Sequence, residues 1–322
     1  MPTLRSLAAF ALALGPLPAL AQDPLNVVAT VGMIGDVVGE VGGACVAVDV
    51  MMGPGIDPHL YQATANDVQT LNHAALIVYS GYSLEGQLAD VLERYGARVP
   101  TLAAAEAGID RGQLIATDDS YGVDPHVWMD VSLWAETVPA VAQALAEARP
   151  DCADAIATNA ADYETQLEAL HDWVGAAVAT IPEQQRILVT AHDAFAYYGR
   201  AYGIEVAGIQ GISTQAEAAI ADIRQTAQLI ARRGVPAIFV ESTINPRTVE
   251  AVIAAARDAG QDIEVGGELF SDAMGDDNTA EGTYIGMIHA NTITIVTALG
   301  GTPPALPDEL GDWSEKWAMA AE

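Results

Sequence analysis

The sequence predicts an α/β protein of two lobes, each a mainly parallel sheet flanked by helices, joined by one long rigid helix. Short runs of β-branched residues alternate with longer stretches of helical periodicity, which is typical of α/β layering. The predicted strands form two sets of four, with a long helical stretch between them. At 322 residues, the chain is long enough for two lobes with real cores or for one large domain.

The strands are predicted where β-branched and other apolar residues run together between turn residues. The first set precedes the long helix and the second set follows it. The eight predicted strands are Asn26–Val31, Val46–Met51, Ala75–Tyr79, Val99–Leu102, Ile187–Thr190, Glu205–Ile209, Ala237–Val240 and Ile263–Leu269.

The long helix is predicted over Asp154–Val178, where apolar residues recur mostly every three or four positions. Pro150 and Pro182 bound it, and at 1.5 Å per residue it would extend for about 40 Å. Such a helix is either a stiff connector between lobes or an ordinary helix of one domain. On the first interpretation, the first lobe is 22–150, the linking helix 151–180 and the second lobe 181–322.

The first 21 residues are typical of a secretory signal peptide. Arg5 precedes an apolar run over Leu7–Leu14, and the small-residue pattern Ala19-Leu20-Ala21 stands just before Gln22. The apolar run is too short to span a membrane. We therefore expect export with cleavage near Ala21 and, because no cysteine stands beside that point, no lipid anchor there.

Charge and cysteine content limit the classes of function. The chain has 13 basic and 43 acidic residues, a formal net charge of −30, which opposes binding to nucleic acid or an anionic membrane. The acidic surface would either concentrate cations or simply keep the protein soluble. Cys45 and Cys152 are the only cysteines, and they could pair in an oxidising compartment or remain two small buried side chains.

Two of the six histidines follow the same dipeptide, in Asp57-Pro58-His59 and Asp124-Pro125-His126. Proline fixes its own φ and biases the preceding residue toward an extended conformation, so each histidine is held on a constrained backbone. Each aspartate either orients the neighbouring imidazole or forms a turn before the proline. Both histidines are expected at the edge of the first lobe.

A helix is predicted after each Asp-Pro-His. Thr64 and Asp67 resemble a capping box that opens the first of these helices. Asp130 is a plausible cap for the second, which would run toward Ala148 with a kink near Pro139.

The second half offers two further candidates at strand ends. His192 follows the strand Ile187–Thr190, and Asp272 follows Ile263–Leu269. Ligand sites in open α/β sheets lie beyond the carboxyl ends of strands. Three imidazoles and one carboxylate suit a transition metal, since imidazole nitrogen favours zinc and carboxylate oxygen also suits manganese.

The remaining candidates are assigned structural or supporting roles. His73, His171 and His289 lie within predicted helices and are expected to be structural. Glu241 follows a predicted strand and either lines the cleft or forms a salt bridge. The aromatic residues expected to pack around the site are Tyr61, Trp128, Phe195, Tyr197 and Tyr198.

Four ordered motifs across the mature chain resemble one known family, the solute-binding proteins of zinc and manganese ABC transporters (cluster A-I, or TroA-like). The motifs are G-P-G-I-D-P-H-L-Y-Q-A-T at 53–64, D-P-H-V-W-M-D at 124–130, T-A-H-D-A-F-A-Y-Y at 190–198, and L-F-S-D-A-M-G at 269–275 with G-T-Y-I-G-M-I at 282–288. The resemblance implies that His59, His126, His192 and Asp272 bind the metal between two lobes joined by a long rigid helix.

The resemblance also implies a function. It indicates a periplasmic monomer that captures a divalent metal and delivers it to the membrane permease of an ABC transporter, with no catalytic role. The family carries His or Glu at the position of His192, and a nitrogen-rich set favours Zn²⁺ while leaving Mn²⁺ open. Ala63 and Ala65 stand where the family usually carries prolines, which bears on helix entry rather than on ligation.

Two other classes of function are alternatives. A secreted zinc hydrolase needs an open coordination position and a general base, and no His-Glu-x-x-His or Gly-x-Ser-x-Gly motif occurs in the chain. A surface adhesin or metal buffer with the same fold is the other alternative. Genes for an ABC permease and an ATPase next to the gene for this chain would favour the transporter over the adhesin or buffer.

Overall fold

Eight strands form the framework, and each of the eight strand predictions is confirmed within a residue or two. The computed structural model describes residues 23–118 and 121–318, so the predicted signal peptide lies outside the described residues. The strands are β1 Leu25–Val31, β2 Val46–Met52, β3 Leu76–Tyr79, β4 Thr101–Ala103, β5 Ile187–His192, β6 Glu205–Gln210, β7 Ala237–Glu241 and β8 Glu264–Leu269.

Every ladder between these strands is parallel. The first lobe holds a four-stranded sheet in the order β2-β1-β3-β4, and β1 at its centre is buried from Val27 onward. The second lobe holds two parallel pairs, β5-β6 and β7-β8, with β5 beside β7. Parallel strands place their carboxyl ends on one edge, so each lobe presents one such edge where a ligand site can form.

Helices cover the sheets and connect the strands. Among the described residues, no helix is long and apolar enough to cross a membrane. The helices are α1 Gly32–Gly42, α2 Ala65–His73, α3 Ala89–Tyr95, α4 Ala104–Gly108, α5 Val131–Ala135, α6 Val138–Ala148, α7 Ala153–Ala179, α8 Ala196–Tyr202, α9 Ile220–Arg233, α10 Arg247–Asp258, α11 Tyr284–Ala298 and α12 Gly311–Lys316.

The predicted helix starts are present, with one difference. Thr64 and Asp67 form the expected capping box at α2. Asp130 accepts the Ser132 N–H and caps α5, but α5 ends at Ala135, and α6 begins only at Val138. The single kinked helix predicted from Asp130 to Ala148 is therefore two helices. Pro139 explains the break, because it has no N–H for the carbonyl four residues earlier and its ring crowds that carbonyl.

The long helix α7 is confirmed and is part of the main core. It packs against α1, α5 and α6 of the first lobe and against α11 of the second. Its buried side chains, such as Leu167, Leu170 and Val174, belong to one apolar cluster that includes residues of both lobes. A smaller cluster lies within the second lobe between β5, β7, α9 and α10. Because its side chains are buried along its length, α7 is a stiff connection packed into the core and not a solvent-exposed linker.

A disulfide joins Cys45, just before β2, to Cys152, just before α7. It therefore ties the edge strand of the first sheet to the start of the long helix. The two cysteines are 107 positions apart. Closing so long a loop restricts the unfolded chain strongly, so the bond is expected to stabilise the fold mainly through that restriction.

We predict that the double substitution Cys45→Ser with Cys152→Ser lowers the free energy of unfolding by about 3–5 kcal/mol. Urea denaturation of the metal-free protein measures the change, and chemically reduced parent protein is the matched control. Equal unfolding free energies for the oxidised parent and the double variant would contradict the prediction.

Candidate metal centre

Three imidazoles and one carboxylate meet in the cleft between the lobes. The structure brings together His59, His126, His192 and Asp272, the four residues singled out in the sequence. Each side chain offers one ligand atom, and all four atoms lie within 4.8 Å of one another. No more than 1% of any of the four residues is exposed. The arrangement is a compact polar cluster sealed from solvent.

Strand ends position most of this cluster. His59 lies in a turn that follows β2, His192 is the last residue of β5, and Asp272 comes three residues after β8 ends. His126 comes from the segment between α4 and α5, directly before a short 3-10 turn over Val127–Met129. The site thus occupies the carboxyl edge of parallel strands, as the sequence predicted.

The separations between these side chains suit one small metal ion. The Nε2 atoms of His126 and His192 each lie 3.3 Å from an oxygen of Asp272, and His59 Nε2 lies 3.7 Å from that carboxylate. The Nε2 atoms of His59 and His126 are 3.3 Å apart. Tetrahedral zinc with bonds near 2.0–2.1 Å holds its ligand atoms about 3.3 Å apart. The four residues could therefore hold such an ion with little rearrangement.

Each imidazole has a partner at its other nitrogen. His126 Nδ1 lies 2.7 Å from an oxygen of Asp124, and His192 Nδ1 forms a short hydrogen bond to Glu241. His59 Nδ1 lies 3.1 Å from the hydroxyl oxygen of Tyr121. Metal-binding histidines characteristically use one nitrogen for such a partner, which fixes the ring and directs the other nitrogen to the metal. Here all three Nε2 atoms are directed into the cluster.

The two Asp-Pro-His turns differ in what the aspartate does. Asp124 accepts the backbone N–H of His126 at 3.0 Å, and the same oxygen contacts the imidazole. Asp57 accepts the backbone N–H of His59 at 2.8 Å, while its other oxygen accepts the hydroxyl of Thr214. Asp124 therefore both forms the turn and orients its ring, whereas the hydrogen bonds of Asp57 go to the backbone and to the second lobe.

Glu241 is the residue whose role the sequence left most open. It is buried at the end of β7, accepts the backbone N–H of His192 at 2.8 Å and pairs with the His192 ring. It is thus an orienting partner of His192 rather than an exposed lining residue. Its sequence signal was the same as for His192, a polar residue at a strand end. Tyr121 had no comparable signal because the contact with His59 is long-range.

Burial and charge shift the pKa values of the site in opposite directions. Burial lowers the pKa of His59 to about 4. Burial also disfavours the charged form of His126, but the Asp124 carboxylate more than offsets this and raises the pKa of His126 to about 9. The pKa of His192 is raised well above its usual range despite burial, because Glu241 lies against it. Burial opposes ionisation of Asp272 too, yet the imidazoles of His192 and His126 hold its pKa well below its usual range.

Close backbone packing supports the turn that carries His59. Gly86 has a positive φ of 51°, and a Cβ built there would lie 2.7 Å from the carbonyl oxygen of His59. Only glycine permits both this conformation and this close approach. The neighbouring Glu85 is buried and accepts the backbone N–H of Ser80 and the hydroxyl of Thr30. The corner at Glu85 and Gly86 thus supports the His59 turn from the first lobe.

The other histidines lie away from the cluster. His73 contacts the carbonyl of Gln69 within its own helix, and His171 contacts the Tyr202 hydroxyl. His289 stacks on Trp173.

Of the predicted aromatic neighbours, Trp128 packs edge-on against the His126 ring, with the ring centroids 5.2 Å apart. Tyr197 donates its hydroxyl to the carbonyl of Asp124, beside that ring. Phe195 and Tyr198 are fully buried in the main core, whereas Tyr61 is partly exposed and donates to Asp67 in α2.

Two α/β lobes on one long helix, with a buried cluster of candidate metal ligands drawn from both, define the class of two-lobed solute-binding proteins. The particular family follows from a comparison with family models. The model described as the periplasmic component A of the zinc-uptake complex matches residues 27–298. The chain belongs to this family.

Individual relatives agree. The chain is 43% identical to the zinc-binding protein TroA of Treponema pallidum over 92% of its own length and 96% of TroA. It is 41% identical to the manganese-binding lipoprotein MntA of Bacillus subtilis, covering 87% of the chain and 91% of MntA. The solved structure of periplasmic TroA superposes with a TM-score of 0.83, covering 86% of this chain and 99% of that one. The lobes and the linking helix predicted from the sequence are thus the fold of this family.

We predict opposite protonation states for two of the clustered histidines. In metal-stripped protein at neutral pH, His126 should carry a proton and lose it only near pH 9, while His59 should stay neutral down to about pH 4. Because the folded pKa of His126 exceeds its ordinary 6.5, its ion pair stabilises the fold fully below about pH 6.5, and this contribution is lost as pH rises through about 9.

Nitrogen-15 NMR of ring-labelled histidine measures these states. Asp124→Asn is the matched variant, and it should lower the pKa of His126 because the counter-charge is removed. Titration of His126 in the parent protein at or below its ordinary pKa would contradict the assignment.

Proposed function

We propose that this chain is an exported solute-binding protein that captures one divalent transition metal between its lobes and delivers it to an ABC permease. The proposed ligands are His59, His126, His192 and Asp272. The observation that carries the proposal is the convergence of three oriented Nε2 atoms on a buried carboxylate. Membership of a periplasmic metal-uptake family supports the periplasm as the site of action.

The hydrogen bonding of Asp272 supports a cation at this position. Both of its carboxylate oxygens are buried, and neither has a hydrogen-bond partner among the described residues. His192 Nε2 is in the same condition. Leaving buried polar atoms unbonded costs about 1–3 kcal/mol each, more for charged groups. A metal bound between them would satisfy the three atoms together.

The charge balance also fits a divalent ion. Three buried carboxylates, those of Asp124, Glu241 and Asp272, touch the imidazole cluster. Without metal, protons on His126 and His192 offset two of these charges. With metal, neutral imidazoles and one divalent ion leave the same net charge. Loading would therefore exchange two protons for one M²⁺, as expected for histidine sites.

Zinc is the first candidate for the cargo, and manganese is the second. Three imidazole nitrogens favour zinc. The two unbonded oxygens of Asp272 allow bidentate binding, which would add an oxygen ligand suited to the harder Mn²⁺. The relatives reflect the same pair, since TroA is named for zinc and MntA for manganese.

Capture rather than catalysis is the proposed role. Four protein ligands fill a tetrahedral shell and leave no position for an activated water. We assign 22–150 to the first lobe, 151–180 to the linking helix and 181–322 to the second lobe, in a monomer. The formal charge of −30 would concentrate cations near the protein.

We predict that His126→Ala weakens zinc binding by more than about a hundredfold. Removing only the hydrogen-bond partner of a metal ligand typically lowers metal affinity by about 10- to 100-fold, and removing the ligand itself should lower it further. Calorimetric titration of metal-stripped protein with zinc, and separately with manganese, measures the affinity and shows which ion binds tighter. His73→Ala is the matched control, since the His73 side chain is exposed and bonds only the Gln69 carbonyl of its own helix. Equal affinities for His126→Ala and the parent would overturn the ligand assignment.

A further inference from the structure

The four candidate ligands are not equally attached to the two lobes. His126 belongs to the first lobe by sequence, yet its segment is bonded closely to the second lobe. Trp128 Nε1 donates to the Ser271 carbonyl at 3.0 Å, and the Tyr284 hydroxyl donates to the Trp128 carbonyl at 2.7 Å. Two residues before His126, the Asp124 carbonyl accepts the Tyr197 hydroxyl of the second lobe at 2.8 Å.

These bonds make one unit of three ligands. Ser271 is the residue before Asp272, so the Trp128 side chain joins the His126 segment directly to the backbone beside Asp272. Glu241 in turn joins β7 to His192 through both the backbone and the ring of that residue. Bonds across the lobes thus hold His126 beside Asp272, and Glu241 holds His192 from within the second lobe, independently of any metal.

His59 is attached differently. It lies on the segment 53–64, here called the His59 arm, which leaves the edge strand β2 and enters α2. Among residues 23–118 and 121–318, two hydrogen bonds link this arm to the second lobe. One is from the Thr214 hydroxyl to Asp57 at 2.6 Å, and the other, from Gln215 to the His59 carbonyl, is long at 3.5 Å.

The apolar side chains of the arm are unevenly buried, since Pro58 is buried and Tyr61 packs against the main core. Ile56 is 41% exposed and Leu60 is 51% exposed, although both are large apolar side chains. Moving Ile56 and Leu60 away from the cleft would therefore cost little buried apolar area. The contrast with the fully buried Trp128, which holds the His126 segment, is direct.

Thr214 is well placed to hold the arm. It is only 8% exposed, and its loop follows β6, whose last residue, Gln210, pairs with His192 in the β5-β6 ladder. Gln210 donates to the Ala216 carbonyl at 2.6 Å and so fixes the loop on either side of Thr214. Asp57 receives the Thr214 hydroxyl on one oxygen and the His59 N–H on the other. A short chain of bonds thus runs from the strand of His192 to the backbone of His59.

We propose that Thr214 is a positioning residue that latches the His59 arm to the second lobe, and that His59 is the ligand that leaves first when metal is released. This inference rests on the proposed function. With the latch formed, His59 stays at high effective concentration beside the metal and rebinds before the ion escapes. With the latch broken, the arm swings on its first-lobe attachment, and three ligands remain.

The test is the rate at which zinc leaves the full mature protein. Thr214→Val keeps the shape of the side chain and removes the hydroxyl. Zinc dissociation into an excess of chelator, followed by stopped-flow absorbance, should become about tenfold faster, the size expected for one hydrogen bond to a charged group. Thr214→Ser retains the hydroxyl and should restore the parent rate.

A matched control separates this effect from a general loss of stability. Thr165→Val removes an exposed hydroxyl on α7 that bonds only the Ala161 carbonyl of its own helix, and it should leave zinc dissociation unchanged. Amide hydrogen exchange of metal-free protein gives the second readout. In Thr214→Val, exchange should accelerate in the 53–64 segment and stay at the parent rate in 124–131, because only the arm is released.

Failure of the proposed function and failure of the latch would give different results. A parent protein that binds neither zinc nor manganese would refute the proposed function itself. A parent that binds zinc, with Thr214→Val releasing it at the parent rate, would overturn the latch alone. Equal acceleration of exchange in 53–64 and 124–131 would also overturn it, since it would mean that the whole cleft had loosened.

Discussion

The rest of the structure depends on the burial of charge in one cleft. Asp124, Glu241 and Asp272 are removed from water together with three imidazoles. Buried charge is tolerated only when it is paired and hydrogen-bonded. Protons on His126 and His192 supply the positive charge in the metal-free protein, and a divalent cation would supply it in the loaded one. The fold must therefore bring these groups together from distant parts of the chain. It must also hold the candidate ligand atoms at the separations that one metal ion requires.

Parallel sheets and a shared core meet that requirement. The carboxyl ends of β2, β5 and β8 deliver three of the clustered side chains to one cleft. The long helix α7 contributes to an apolar core that includes both lobes, so the cleft walls keep their spacing. The disulfide at Cys45 and Cys152 adds a covalent tie between the first sheet and α7. Against this frame, two hydrogen bonds among the described residues join the His59 arm to the second lobe.

Local patterns predicted much of this arrangement. Short stretches of sequence are enough to predict all eight strands, α7 and the capping box at Thr64. The four clustered residues were found because each stands at a constrained turn or a strand end, and because the motifs resemble a family. The break at Pro139 was predicted as a kink, since sequence alone does not say whether neighbouring packing will rebuild the lost hydrogen bond. Glu241, Tyr121 and Thr214 act through partners far away in sequence, so no local pattern could assign their contacts.

The most direct test of the central claim is anomalous diffraction from crystals of the zinc-loaded protein, recorded on both sides of the zinc absorption edge. We expect one strong anomalous peak in the cleft, about 2.0–2.2 Å from the Nε2 atoms of His59, His126 and His192 and from the Asp272 carboxylate. A peak elsewhere, or a cleft peak that lacks contact with one lobe, would contradict the claim that both lobes jointly hold the metal.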